Sequence, residues 1–195
     1  RAAELETLQA IARGQGVSMH MDGARFFNAI ASLDCAPADV TWRAGIEVLS
    51  CGGTKLGMAM TEAVVFFNRE LSREFAWRCK QAGQLASKMR FISAQWRACL
   101  RDRFWLKYAR QANALARELA DGLHKIPGVK LLHPVEANGV FAELPPEIHR
   151  KLHARGWHFY DFAGGGSRFM CSWKTAPDDV AALLADARSG VTEIK

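Results

Sequence analysis

Two short segments hold the residue types best able to do chemistry. His20-Met21-Asp22-Gly23-Ala24-Arg25 ends one apolar stretch with a carboxylate, and Ser50-Cys51-Gly52-Gly53-Thr54-Lys55 ends another with an amine. In α/β sheets, ligand chemistry gathers beyond the carboxyl ends of the strands. A Lys there can condense with an aldehyde, and an Asp can keep a pyridine nitrogen protonated. Pyridoxal phosphate carries both groups on one ring, so the pair suits it.

Each of these residues also has a plainer reading. Asp22 before Gly-Ala-Arg is equally a helix N-cap, worth about 1 kcal/mol. Lys55 beside glycines is equally a surface-loop residue. However, its apolar flank, Leu56 to Met60, predicts an amine that is desolvated or paired. Glycines 52, 53 and 57 would let the backbone approach a bulky cofactor. The run Gly52-Gly53-Thr54-Lys55 lacks the order and spacing of a Walker phosphate loop.

Arg25 lies near Asp22 at the start of one helix and could bind a carboxylate through its planar fork, or form a structural ion pair. Arg168, in Gly164-Gly165-Gly166-Ser167-Arg168, could clamp a substrate carboxylate or sit on a strand surface. His20 shares a strand face with Asp22, so it could meet the same ligand or be a hydrogen-bonded core residue. Lys88 and Arg90 could meet a phosphate or be helix-surface charges. The other histidines show no metal-ligand spacing, so no metal is expected. Cys51 reads as a small buried core residue rather than a nucleophile.

The elements that must position these groups follow from periodicity. Residues 2–14 read as a helix closed by Gly14-Gln15-Gly16. Strands are predicted at 17–21 and 46–50, with a helix at 24–33 between them. The run Ala63-Val64-Val65-Phe66-Phe67 reads as a buried strand. The first third therefore alternates helix and strand, the mark of a layered α/β domain. From Arg69 to His124 the apolar spacing predicts two or three long helices. The last third predicts strands at 129–132, 139–144, 158–162 and 167–173, with helices at 146–155 and 178–188. This gives a small α+β domain beginning near residue 125.

The chain has 195 residues and a net charge of +6. Its basic residues are interleaved with acids along helices, so they read as solvated faces rather than a nucleic-acid surface. No apolar run is long enough to span a membrane. Five cysteines without C-x-x-C spacing argue against a disulfide framework and fit a reducing cytoplasm. The chain begins at Arg1 with a helix already under way, as the continuation of a longer protein would.

Taken together, several segments resemble the threonine aldolases of the fold type I pyridoxal-phosphate enzymes, in the low-specificity L-threonine aldolase branch. They are His20-Met21-Asp22-Gly23-Ala24-Arg25-Phe26-Phe27-Asn28-Ala29, Gly52-Gly53-Thr54-Lys55, Glu62-Ala63-Val64-Val65-Phe66-Phe67, Cys79 to Arg90, and Arg168-Phe169-Met170-Cys171-Ser172-Trp173. The resemblance implies an α/β fold, with residues 1–124 forming the C-terminal part of the cofactor-binding large domain and 125–195 the small domain.

It also implies that Lys55 forms the Schiff base with pyridoxal phosphate and Asp22 pairs with the ring nitrogen. Arg25 and His20 would lie about the cofactor, and Arg168 and Arg25 would hold the substrate carboxylate. The implied reaction cleaves L-threonine, L-allo-threonine or a related β-hydroxy-α-amino acid to glycine and an aldehyde, in a cytoplasmic homo-oligomer (dimer or tetramer). Another pyridoxal-phosphate lyase or transaminase, or a non-catalytic oligomerising fragment, is the alternative. Relatives often carry Asn-Gly after the Lys, where this chain has Leu56-Gly57. They also carry an N-terminal segment with the phosphate loop and a stacking His, so this chain resembles their C-terminal portion.

Overall fold

The computed structural model describes residues 2–190. The chain divides into two compact units, residues 1–107 and 108–195. Among the described residues, no helix is long and apolar enough to cross a membrane.

The first unit is built on a three-stranded sheet in the order β1-β2-β3, with β1 at His20–Gly23, β2 at Val48–Gly52 and β3 at Glu62–Phe66. β1 and β2 run parallel with Asp22 beside Ser50, and β3 runs antiparallel to β2 with Glu62 beside Gly52. Helix α1 (Ala2–Gly14) precedes the sheet, and α2 (Phe26–Leu33) connects its two parallel strands. α2 is fixed by its buried Phe26, Phe27 and Ile30.

Both parallel strands start later than the sequence predicts. Val17 N–H returns to the Ala12 carbonyl at 3.0 Å, closing α1 through Gly16 at φ +62°. The residues after the helix are thus spent on its cap. Glu47 and Val48 N–H both reach the Met19 carbonyl, which delays β2 in step.

In this chain Val64 and Val65 of β3 are each 38% exposed. β3 lies at the end of the sheet order and has one neighbour strand. One sheet face, with Leu49, Cys51, Ala63 and Val65, lines an apolar groove of about 620 Å³ that also holds Trp96 and Trp105.

Three helices follow: α3 (Phe75–Gln81), α4 (Arg90–Arg101) and α5 (Phe104–His124). Left-handed backbone at Gly83, Lys88 and Arg103 separates them. The second unit holds a four-stranded antiparallel sheet in the order β4-β5-β7-β6. Its strands are β4 (Lys130–Leu131), β5 (Gly139–Glu143), β6 (Tyr160–Asp161) and β7 (Ser167–Met170). α6 (Pro146–Ala154) and α7 (Pro177–Ser189) complete it. Asp179 accepts the Ala176 N–H at 2.8 Å, fixing the start of α7.

The division between units falls at Lys107/Tyr108, inside α5, earlier than the boundary near 125 drawn from the sequence. Leu115, Leu119 and Leu123 of α5 belong to the second unit's core, with Val140, Ile148, Leu152 and Leu184. Packing, rather than the end of the helix, sets the division.

Leu152 is fully buried in that core. Leu152→Ala should lower the unfolding free energy by about 2–5 kcal/mol, read by urea denaturation. A loss under about 1 kcal/mol would show that α6 does not anchor the core.

Candidate functional site

The site forms where β1 and β2 end side by side. The two ends leave no room for a Cβ between them. A Cβ on Gly23 would stand 2.6 Å from the Ser50 carbonyl oxygen, and one on Gly52 would stand 2.8 Å from that of Ala24. No side chain fits at either place, so glycine is what lets the two backbones meet.

The parallel register places His20, Asp22 and Ser50 on one face of the sheet. His20 Nε2 and Ser50 Oγ are hydrogen bonded at 2.8 Å. Asp22 Oδ1 accepts the Ala24 N–H at 3.0 Å. α2 begins later, at Phe26 with Arg25 in the N-cap position. Asp22 therefore fixes the turn after the strand and does not cap the helix, which settles one alternative left by the sequence.

Lys55 follows β2 in a single 3₁₀ turn, Thr54–Leu56. It is exposed in this chain. With three residues per turn, adjacent side chains point well apart. Leu56 and Met58 are buried while Lys55 faces outward. Leu56 is thus an inward anchor of the turn. Gly57 closes it at φ +100°.

One residue of this region escaped the sequence reading. Glu62 Oε2 accepts the Gly53 N–H at 3.1 Å, and its Oε1 accepts the Thr54 N–H at 3.3 Å. In the sequence it opens the apolar segment Glu62–Phe67, part of the family resemblance, with no role attached.

The other predicted residues lie as follows. Arg25 is half-buried at the start of α2. Both Lys88, in the turn before α4, and Arg90, the first residue of α4, are exposed, and only Arg90 is a helix-surface charge. Arg168 lies in the second unit on β7, with its guanidinium carbon 5.7 Å from the Tyr160 ring centre. Its Nε is buried without a hydrogen-bond partner.

Cys51 is buried beneath the site. Burial pushes its thiol up to about 12, and the Glu62 charge adds to the shift. Cys171 is likewise pushed up to about 11, mainly by burial and further by Glu118. Both are inert core thiols, as the sequence indicated for Cys51.

The donor set fits a pyridoxal-phosphate ring: an outward amine for its aldehyde and a carboxylate for its nitrogen, on adjacent strand ends. The fold is that of the fold type I pyridoxal-phosphate enzymes. Leishmania major threonine aldolase superposes with a TM-score of 0.86 at 24% identity, covering 96% of this chain and 56% of that one.

The chain belongs to the beta-eliminating lyase family, which it matches over residues 1–145. Members of that family depend on pyridoxal phosphate. The chain is 54% identical over 189 residues to the low specificity L-threonine aldolase of Pseudomonas aeruginosa, covering 96% of this chain and 55% of that protein. It is 53% identical over 190 residues to the enzyme of the same name from a Pseudomonas species, covering 97% and 55%. The chain therefore spans about half the length of the curated relatives it matches.

The thiol shifts give a direct test. With a pKa of about 12, Cys51 carries only about one part in ten thousand thiolate at pH 8. Iodoacetamide at pH 8 should leave Cys51 and Cys171 unmodified in the folded chain and label both in urea, as read by peptide mass spectrometry. Unfolding returns each thiol towards its ordinary value of 9.0. The folded state holds these protons more tightly, so their contribution to stability is complete below pH 9 and is lost as pH rises towards 12. Rapid native labelling of Cys51 at pH 8 would contradict its burial.

Proposed function

We propose that this chain carries the Schiff-base half of a pyridoxal-phosphate-dependent aldolase. The proposed substrates are L-threonine, L-allo-threonine or a related β-hydroxy-α-amino acid, and the products are glycine and an aldehyde. The observation that carries this reading is the delivery of Asp22 and the Lys55 turn to the same end of two adjacent parallel strands.

The roles follow from the chemistry of each group. Lys55 offers a solvent-facing amine to the cofactor aldehyde. Asp22 holds the proton on the ring nitrogen. When bound, the ring supplies a sink for the electron pair left at Cα as the Cα–Cβ bond breaks. His20, tied to Ser50, lies on the sheet face of Asp22 and would border the ring. Arg25 would neighbour the cofactor, and Arg25 and Arg168 would bind the substrate carboxylate. The buried, unpartnered Nε of Arg168 supports an anion there, since such a donor is costly to leave unpaired.

The intact protein is read as a cytoplasmic homo-oligomer, a dimer or tetramer. Trp77 at 69% exposure and Phe91 at 65%, on α3 and α4, support an interface between copies. The names of the Pseudomonas relatives support the aldolase chemistry over elimination or transamination.

The test is to incubate the purified chain with pyridoxal phosphate, reduce with borohydride and map the modified peptide. The expected result is a pyridoxyl group fixed on Lys55, lost in Lys55→Ala. Glycine and acetaldehyde from L-threonine would identify the aldolase, whereas 2-oxobutanoate with ammonia would identify an eliminating enzyme. Absence of the group from Lys55 would overturn the assignment.

A further inference from the structure

We propose that Glu62 is the positioning residue of the Lys55 turn, clamping its first two backbone N–H groups so that the amine is held towards the cofactor. This rests on the assignment of Lys55 above.

Glu62 opens β3 directly across from Gly52, the last residue of β2. Its side chain reaches over the strand end, and one oxygen takes each of two successive amides, Gly53 and Thr54. These amides begin the 3₁₀ turn Thr54–Leu56 and have no partner within it, as at any helical start. Lys55 is the next residue. A negative charge at that end also matches the polarity of the turn.

The clamp is itself held in place. Trp96 Nε1 donates to Thr61 Oγ1 at 2.7 Å, fixing the residue before Glu62. The same indole closes on Gly53, where an added Cβ would stand 3.0 Å from Trp96 Cζ2. The far limb of the loop is held by Gln95 Oε1, which accepts the Ala59 N–H at 2.8 Å. Within the turn, Leu56 N–H returns to the Gly53 carbonyl and Gly57 N–H to that of Thr54. Remove the carboxylate, and the amides immediately before Lys55 lose their partners.

A carboxylate is needed because two adjacent donors require two acceptor oxygens. A Gln side chain offers one acceptor and presents an NH₂ donor to the second amide. Glu62→Gln therefore keeps size and packing but breaks the clamp, while Glu62→Ala removes it.

Two measurements on the purified chain test this. In Glu62→Gln, hydrogen exchange at whichever of the Gly53 and Thr54 amides faces the NH₂ should speed by about tenfold, the effect expected for one lost charge-assisted bond. Exchange at Val140 and Ala142 should stay unchanged. The rate of borohydride-fixed pyridoxal phosphate on Lys55 should fall by a similar factor, with other lysines unaffected and the thermal midpoint retained. Glu62→Ala should show both effects more strongly. If Lys55 is modified as fast in Glu62→Gln as in the parent, or exchange at Gly53 and Thr54 does not change, the clamp is overturned while the Lys55 assignment stands. If the parent chain fixes no group on Lys55, that assignment fails, and the role given to Glu62 fails with it.

Discussion

The close approach of two parallel strand ends is the constraint on which this site depends. Gly23 and Gly52 let the backbone beyond β1 meet the end of β2 without an intervening side chain. That contact puts the carboxylate near the end of one strand and the turn that follows the other at the same end of the sheet. A side chain at either glycine would force the ends apart, and Asp22 and Lys55 would then serve separate surfaces.

Around that contact, the fixing is done by short-range bonds rather than by bulk. Asp22 holds the turn to Ala24, Ser50 holds His20, and Trp96 ties Thr61 to the helix opposite. The apolar face of the same sheet supplies the floor, with Leu49 and Cys51 buried beneath the polar face. Alternation along a strand keeps these two environments apart. This is why Cys51, next to Ser50 in sequence, is a sealed thiol.

Much of this was legible in the residues. Strand ends leading to Asp22 and Lys55, the helix after Asp22, and the change from layered α/β to an α+β C-terminal unit all leave periodic or compositional marks. The less legible parts have physical causes. The exposure of Lys55 depends on which way one 3₁₀ turn faces, and Leu56 and Met58 took the inward positions. Glu62 meets Gly53 across a strand reversal, so no periodicity relates them. The division inside α5 reflects which core Leu115 to Leu123 entered, and a continuous helix gives no hint of it.

The Lys55 turn is held by two anchors of different kinds, and they should differ in what substitution they tolerate. Leu56 contributes buried apolar surface, which several side chains of similar volume can supply. Glu62 contributes two oxygens at a fixed reach, which hardly any other residue can supply. Drift among descendants of this chain would thus be absorbed on the Leu56 side. The other flank would stay a narrow passage for sequence change.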